Sequence, residues 1–231
     1  MKDLVLVHGW GFGSAVWRPV LDALSPRFRI RLVDLPGYDE LTDWPDDIAP
    51  GAVVCGWSLG ALTAMRRAVA EPERIARLVL VGATPRFVRA ADWPTGQPPA
   101  LLEGFATGVV AGPAAALRRF AALVNQDDVR SRALTRFLFE RIGEGIAEAA
   151  VLRRGLEELR DADLRAMMPR IAQPTLVVHG ANDRVTPPAA AAWLAQRLPH
   201  ARLELFEDAA HAPFLSDPQR FAALLVAFAH E

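Results

Sequence analysis

The chain of 231 residues has one cysteine, one tyrosine and one lysine, and it lacks long uninterrupted apolar runs. A single cysteine, Cys55, excludes an internal disulfide and any multi-cysteine metal site. No apolar stretch reaches membrane-spanning length without charged residues. The first apolar run, residues 4–7, is too short for the core of a signal peptide. We therefore expect a cytoplasmic protein without a membrane segment.

An excess of charge of one sign is also lacking. The chain carries 26 basic and 27 acidic residues, a formal net charge of −1. No global field therefore draws it to nucleic acid or to an anionic membrane. The length allows one domain with a sizeable core, or a core with a cap, and we expect a monomer.

Short apolar runs rich in β-branched residues recur at positions 4–7, 29–33, 52–55, 78–81, 175–178 and 203–206. Near-continuous apolarity is typical of strands that are covered on both faces, which favours a mainly parallel sheet. Helical patterns alternate with these runs at 15–24, 59–70, 188–198 and 218–229. The alternation predicts a doubly wound α/β fold with helices on both faces of the sheet.

One interval, residues 86–169, has no strand pattern and instead contains four helical patterns, at 101–110, 114–124, 129–142 and 146–159. We predict that residues 1–85 and 170–231 form the α/β core. Residues 86–169 would form a helical cap inserted between two strands, above the strand ends where such sheets bind ligands. The alternative is a helical subdomain with only a packing role.

The most specific motif is Gly56-Trp-Ser-Leu-Gly60, which follows a predicted strand and opens a predicted helix. In this context Gly-x-Ser-x-Gly is typical of a nucleophile elbow, a sharp turn that exposes the serine hydroxyl. Ser58 is therefore the candidate nucleophile. The backbone N–H of Leu59, at the helix N-terminus, can face a developing oxyanion.

A serine hydroxyl needs a base that takes its proton, and in elbow enzymes the chain order is serine, acid, histidine. His211 follows the last predicted strand, and Asp183 follows the strand before it. Both side chains would then lie at the same sheet edge as Ser58. The competing histidines and acids fit loop, core or surface positions better: His8, His179, His200, His230, Asp34 and Asp208.

The loop after the first strand, His8-Gly-Trp-Gly, occupies the usual place of the second oxyanion donor. The backbone N–H of Trp10 is the candidate donor, and its indole would line the acyl pocket. A buried tryptophan with a satisfied indole N–H is compatible with this role. The predicted reaction is acyl transfer to Ser58 followed by hydrolysis, which requires no metal ion and no organic cofactor.

Further motifs are Val16-Trp17, Leu32-Val-Asp-Leu-Pro-Gly37, Asp92-Trp-Pro94, Leu102-x-Gly-Phe105, Arg119-Phe-x-Ala-Leu123 and Ala209-Ala-His-Ala-Pro-Phe214. Together with the elbow and the Trp10 loop, they resemble the pimeloyl-[acyl-carrier protein] methyl ester esterases of biotin synthesis, within the α/β-hydrolase superfamily. The resemblance covers most of the chain. It implies a serine carboxylesterase that frees the carboxylate of a pimeloyl chain carried by acyl carrier protein.

The resemblance also assigns residues to the substrate. The ester would be surrounded by Trp10, Ser58, Leu59 and His211, and the acyl chain would be flanked by Phe120, Ala122, Leu123 and Val124. Because the carrier is acidic, its docking surface would be basic, and Arg119, Arg132 and Arg136 match basic cap positions of the family. An arginine-rich helix surface without a docking role is the alternative.

Three features depart from the family pattern: a missing or very short leading hairpin, an abbreviated acidic link at residues 38–50, and Ala61 in place of a second glycine. None of them touches the three candidate catalytic residues. A serine triad also serves generic carboxylesterases, lactonases and C–C hydrolases, because fold and triad do not decide the substrate. A non-catalytic ligand-binding receptor that keeps the fold is a further alternative.

Overall fold

A computed structural model describes residues 1–35, 48–144 and 147–231. In these ranges six strands form one sheet: β1 (Lys2–Val7), β2 (Phe28–Val33), β3 (Ala52–Trp57), β4 (Ile75–Val81), β5 (Thr175–Gly180) and β6 (Ala201–Phe206). Each pair of neighbours is parallel, in the order β2-β1-β3-β4-β5-β6. The six predicted strands and the parallel sheet are confirmed.

Burial along the strands explains their composition. Every residue of β3 and β5 is buried. Because successive side chains of a strand point to opposite faces, both faces of these central strands are covered. The edge strands β2 and β6 contain partly exposed positions. Apolar runs without alternation therefore mark the centre of this sheet.

The core helices are α1 (Arg18–Leu24), α2 (Leu59–Ala70), α7 (Pro188–Arg197), α8 (Pro213–Ser216) and α9 (Pro218–His230), with short 3₁₀ helices at Ser14–Trp17, Pro72–Arg74 and Arg165–Arg170. Helix α2 packs along β3 and β4, α7 packs along β5 and β6, and α1 packs against α9. The helix expected at 15–24 divides at Trp17. Pro19 lacks the N–H that would bond to Ala15 in one continuous α-helix.

Four helices lie between β4 and β5 in the chain: α3 (Pro99–Ala111), α4 (Pro113–Val124), α5 (Ser131–Glu144) and α6 (Ala149–Asp161). They match the four helical patterns, although α5 begins at Ser131 rather than at 129. The residue at 146 lies outside the described residues. Helix α3 packs against α4 and α6, and α4 packs against α5.

The two connections between these helices and the sheet are tied together. Arg86, after β4, donates to Asp163, before β5, at 2.6 Å. Arg165 donates to Asp163 at 2.7 Å and to Asp92 at 2.9 Å. Hydrogen bonds from Arg165 and then Arg86 hold the pKa of Asp163 below its usual range, despite partial burial. The entry and exit of the helical segment are thus held side by side.

The order of the strands indicates where the candidate site lies. From β1 the chain first adds β2 on one side of the sheet and then β3 on the other, so the strand order reverses at β1. Ligands of open α/β sheets bind at the carboxyl ends of strands near such a reversal. The loops after β1 and β3, which carry Trp10 and Ser58, meet there. Of the link expected at 38–50, residues 38–47 lie outside the described residues. No helix of the described ranges is both long and apolar enough to cross a membrane.

Candidate active site

Ser58 occupies the turn between β3 and α2. Its backbone has φ +56° and ψ −116°, a conformation that residues with a side chain rarely adopt. The turn is held because the Ser58 N–H donates to the carbonyl of Val81 at 2.9 Å. A side chain at Gly60 would put its Cβ 2.5 Å from the carbonyl oxygen of His8, so only glycine allows α2 to approach β1 this closely. The surrounding structure therefore imposes the strained turn at Ser58.

Asp183 and His211 come from the loops after β5 and β6. The Nδ1 atom of His211 lies 2.8 Å from Oδ2 of Asp183, and both side chains are buried. Burial alone would raise the pKa of Asp183, but the charges and hydrogen bonds of His211 and His179 outweigh it and lower the pKa. Asp183 is therefore an ionised acceptor that favours the proton on Nδ1 of His211, leaving Nε2 as the basic atom.

The second ring nitrogen of His211, Nε2, is available to accept a proton. It is buried, and within the described residues it has no hydrogen-bond partner. The indole N–H of Trp57, the residue before Ser58, donates to the carbonyl of His211 at 2.9 Å, and the two rings lie 5.5 Å apart. The elbow and the histidine loop are thereby in direct contact.

Two residues that contact Asp183 were given no site role by the sequence analysis. The Thr186 hydroxyl lies 2.8 Å from Oδ2 of Asp183, and its backbone N–H donates to Oδ1 at 2.9 Å. His179, which the sequence places in the core, has Nε2 at 3.2 Å from the same Oδ2 and 2.7 Å from the Thr186 carbonyl. An acid followed three residues later by threonine is the local signal that predicts the first contact.

Trp10 lies under the helical segment. It is 1% exposed, and its indole N–H donates to the carbonyl of Leu152 in α6 at 2.8 Å. Its ring makes edge contacts with Phe120 and Phe105, with centroids 4.9 and 5.8 Å apart. Leu59, the other predicted oxyanion residue, is the first residue of α2 and is also buried.

A narrow and nearly filled apolar cavity lies at Ser58. Its other lining residues come from the Trp10 loop, from the helical segment and from the neighbouring loops: Trp10, Phe87, Leu101, Leu102, Phe105, Phe120, Leu123, Leu156, Leu159 and Val185. Apart from Ser58 these side chains are apolar or aromatic. The apolar lining is of the kind that contacts a hydrocarbon chain whose reactive carbonyl lies at the serine.

Comparison with known proteins agrees with this architecture. The model of the "Alpha/beta hydrolase family" matches residues 4–224. The chain belongs to the alpha/beta hydrolase family.

Several curated relatives of this hydrolase share one name. Proteins from Nitrosomonas europaea and Aromatoleum aromaticum, each 43% identical over 96% of this chain and over 93% and 96% of their own lengths, are called pimeloyl-[acyl-carrier protein] methyl ester esterase. A protein from Yersinia enterocolitica with the same name is 36% identical over 99% of this chain and 93% of its own length.

Solved structures support the fold. An esterase from Exiguobacterium antarcticum superposes with a TM-score of 0.91 at 22% identity, and an enol-lactonase from Burkholderia xenovorans with 0.85 at 23%. Each match covers 100% of this chain and 92% of the other. Because these neighbours differ in named activity, the shared fold does not select the reaction of the hydrolase.

The residues expected to flank the acyl chain divide into three groups. Phe120 and Leu123 line the cavity at Ser58. Ala122 and Leu123 line an open outer groove between α3, α4 and α5. Val124 is fully buried, and its carbonyl accepts the backbone N–H of His211 at 3.1 Å. In the described structure Val124 therefore contacts the histidine loop.

The outer groove and the cavity at Ser58 are neighbours, since Leu101, Phe105 and Leu123 line both. Arg119, Arg132 and Arg136 are exposed and line the groove. The two nearby acids do little to offset them. Asp127 pairs with Arg184 at 2.7 Å, and Asp128 is buried.

The remaining candidates have structural surroundings. His8 contacts the carbonyl of Gly9 and the N–H of Leu35, Asp34 accepts from Ser14, and Asp208, His200 and His230 are exposed. Ala61 is fully buried in α2. Within the described ranges, no group of three or more His, Cys, Asp or Glu side chains could hold a metal ion.

Proposed function

We propose that this hydrolase cleaves the methyl ester of a pimeloyl chain carried on acyl carrier protein and so frees the carboxylate needed for biotin synthesis. Relatives that bear this name are 43% identical over nearly the whole chain. The structural observation that carries the proposal is that the arginine-lined groove lies beside the apolar cavity at Ser58, with lining residues in common. A long acyl chain attached to an acidic carrier requires both features.

The proposed mechanism begins with attack of the Ser58 hydroxyl on the ester carbonyl, while Nε2 of His211 takes the proton. The carboxylate of Asp183, bonded to Nδ1, stabilises the imidazolium that forms. The backbone N–H groups of Trp10 and Leu59 would hold the oxyanion. His211 then gives its proton to the departing methoxide, releasing methanol. A water molecule, deprotonated by the same histidine, hydrolyses the acyl-enzyme and releases the free acid.

The cavity at Ser58 and the outer groove would bind different parts of the substrate. The apolar acyl chain would lie against Trp10, Phe120 and Leu123 in the cavity. The carrier would dock on Arg119, Arg132 and Arg136, whose charges complement an acidic surface. Ala122 would contact the substrate in the outer groove. In this scheme residues 86–169 act as the cap, and the protein acts as a monomer in the cytoplasm.

Complementation tests the proposal in cells. A biotin auxotroph that lacks its own pimeloyl ester esterase should grow without biotin when it expresses this chain. Expression of the Ser58→Ala variant, which keeps the fold but lacks the nucleophile, should not restore growth. Failure of the wild-type chain, present as well-folded protein, would contradict the proposed substrate.

A generic carboxylesterase is the second candidate, because solved neighbours of high TM-score include esterases that this fold does not distinguish. Purified protein should be assayed with pimeloyl-carrier methyl ester and with a small free methyl ester. A kcat/KM at least tenfold higher for the carrier-bound ester favours the first candidate, whereas equal values favour the second. Absence of fluorophosphonate labelling at Ser58 would exclude both and leave a ligand-binding receptor.

A further inference from the structure

The loop between α4 and α5 is bonded to the loop that carries His211. The carbonyl of Val124, at the end of α4, accepts the N–H of His211 at 3.1 Å. The N–H of Val129 donates to the carbonyl of Asp208 at 3.1 Å. Two backbone hydrogen bonds therefore join the helical segment to His211 itself and to Asp208, three residues before it.

Asp128 adds a buried carboxylate to this junction. The residue is 5% exposed. Its Oδ2 accepts the N–H of Ala210 at 3.0 Å, and its Oδ1 accepts the N–H of Arg130 at 2.7 Å and the hydroxyl of Ser216 at 3.2 Å. A buried carboxylate is costly unless it is hydrogen-bonded. Two of these three bonds go to the segment that surrounds the histidine.

The consecutive N–H groups of Ala210 and His211 are thus both held by acceptors from the α4 end and the α4–α5 loop. The His211 ring is held separately, at Nδ1, by Asp183. We propose that Asp128 is a positioning residue for the reaction, which fixes the backbone of His211 so that Nε2 faces Ser58. This inference rests on the proposed role of His211 as the base.

The expected effect is on turnover rather than on binding. Asp128 is absent from the lining of the cavity at Ser58 and of the outer groove. A displacement of about 1 Å in a reacting group costs on the order of 100-fold in rate. Loss of the carboxylate leaves the Ala210 N–H without its acceptor, so the histidine would sample unproductive positions.

The test compares Asp128→Ala, Asp128→Asn and the matched control Asp208→Asn, an exposed aspartate on the same loop as His211. We expect kcat for a small methyl ester to fall about 10- to 100-fold in Asp128→Ala, with KM within twofold of wild type. The rate of fluorophosphonate labelling at Ser58 should fall in parallel. Asp128→Asn keeps one acceptor oxygen and should recover part of the loss, and Asp208→Asn should match wild type.

A folded Asp128→Ala protein with wild-type kcat would overturn the proposal. So would a loss that appears mainly in KM, or one that Asp128→Asn does not partly restore. If the alanine variant does not fold, the nearly isosteric Asp128→Asn variant decides. A several-fold lower kcat supports the proposal, and an unchanged kcat contradicts it. Wild-type protein that does not label at Ser58 would instead contradict the proposed function, so the two failures are distinguishable.

Discussion

The hydroxyl of Thr186 lies 2.8 Å from Oδ2 of Asp183, the same carboxylate oxygen that Nδ1 of His211 approaches to 2.8 Å. The hydroxyl also lies 3.1 Å from the Gly82 carbonyl at the end of β4. A single hydroxyl hydrogen is thus shared between two acceptors. Through it, Thr186 connects the end of β4 to the proposed catalytic acid. Hydrogen bonds to charged groups contribute about 1.5–3 kcal/mol.

Thr186→Val keeps the shape of the side chain and removes the hydroxyl. We expect kcat to fall about tenfold, because Asp183 loses a donor and orients His211 less well. Steady-state kinetics with a small ester measure the effect. Thr63→Val, a change of the same type at a half-buried position of α2, is the control and should keep wild-type kcat. Equal kcat in the two variants would show that the hydroxyl does not support Asp183.

Ser58→Ala should lower the rate of ester hydrolysis by roughly three to six powers of ten, since the triad acts as a unit. Because Ser58 has φ +56°, the substitution retains the backbone strain, and the melting temperature should change little. Rate assays and thermal unfolding of the same preparation measure both quantities. Near-normal turnover by the pure variant would contradict the assignment of the nucleophile.

The three groove arginines should matter only for the carrier-bound substrate. Replacing Arg119, Arg132 and Arg136 together by alanine should lower kcat/KM for that substrate on the order of tenfold and spare a small ester. Rising ionic strength should likewise lower kcat/KM of the wild-type protein for the carrier-bound substrate and spare the small ester. Arg27→Ala, at the amino end of β2 and so on the opposite sheet edge, is the control. A similar loss for the small ester would argue against docking.

Stability should depend on pH through His8. Its Nδ1 lies 2.8 Å from the Gly9 carbonyl, and its Nε2 accepts the Leu35 N–H at 3.0 Å, so the folded site holds a neutral ring. Burial lowers the pKa of His8 in the folded protein, outweighing the opposing effects of Gly9 and Asp34. Below about pH 6.5 the unfolded chain therefore binds a proton at His8 that the folded chain does not. The stability that the neutral His8 ring contributes is fully present above about pH 6.5 and is lost as the pH falls below it.

Urea unfolding between pH 7.5 and 5 provides the measurement, over roughly the range in which histidine titrates. The wild type should lose free energy of unfolding faster than His8→Gln, by up to about 1.4 kcal/mol per pH unit. His200→Gln removes an exposed histidine and should retain the wild-type slope. A His8→Gln slope equal to that of wild type would exclude this linkage.

Much of the fold is predictable because it depends on local patterns. Unbroken apolar runs mark strands whose two faces are covered, and the pattern at Leu59–Ala70 predicts α2 with the bounds that the structure has. Boundaries that depend on a single backbone group are less predictable. The short helix α8 begins at Pro213, and the division before Arg18 follows from the missing N–H of Pro19.

The sequence by itself determined the strand–turn–helix around Ser58, since two glycines at fixed spacing permit a turn that few other sequences allow. It also determined the order of the candidate acid and base along the chain. Only the tertiary structure decided that Val124 lies against the histidine loop, and that Asp128 is buried and accepts the N–H of Ala210. These contacts join loops far apart in the chain, and the direction of a loop side chain depends on packing that no local pattern specifies.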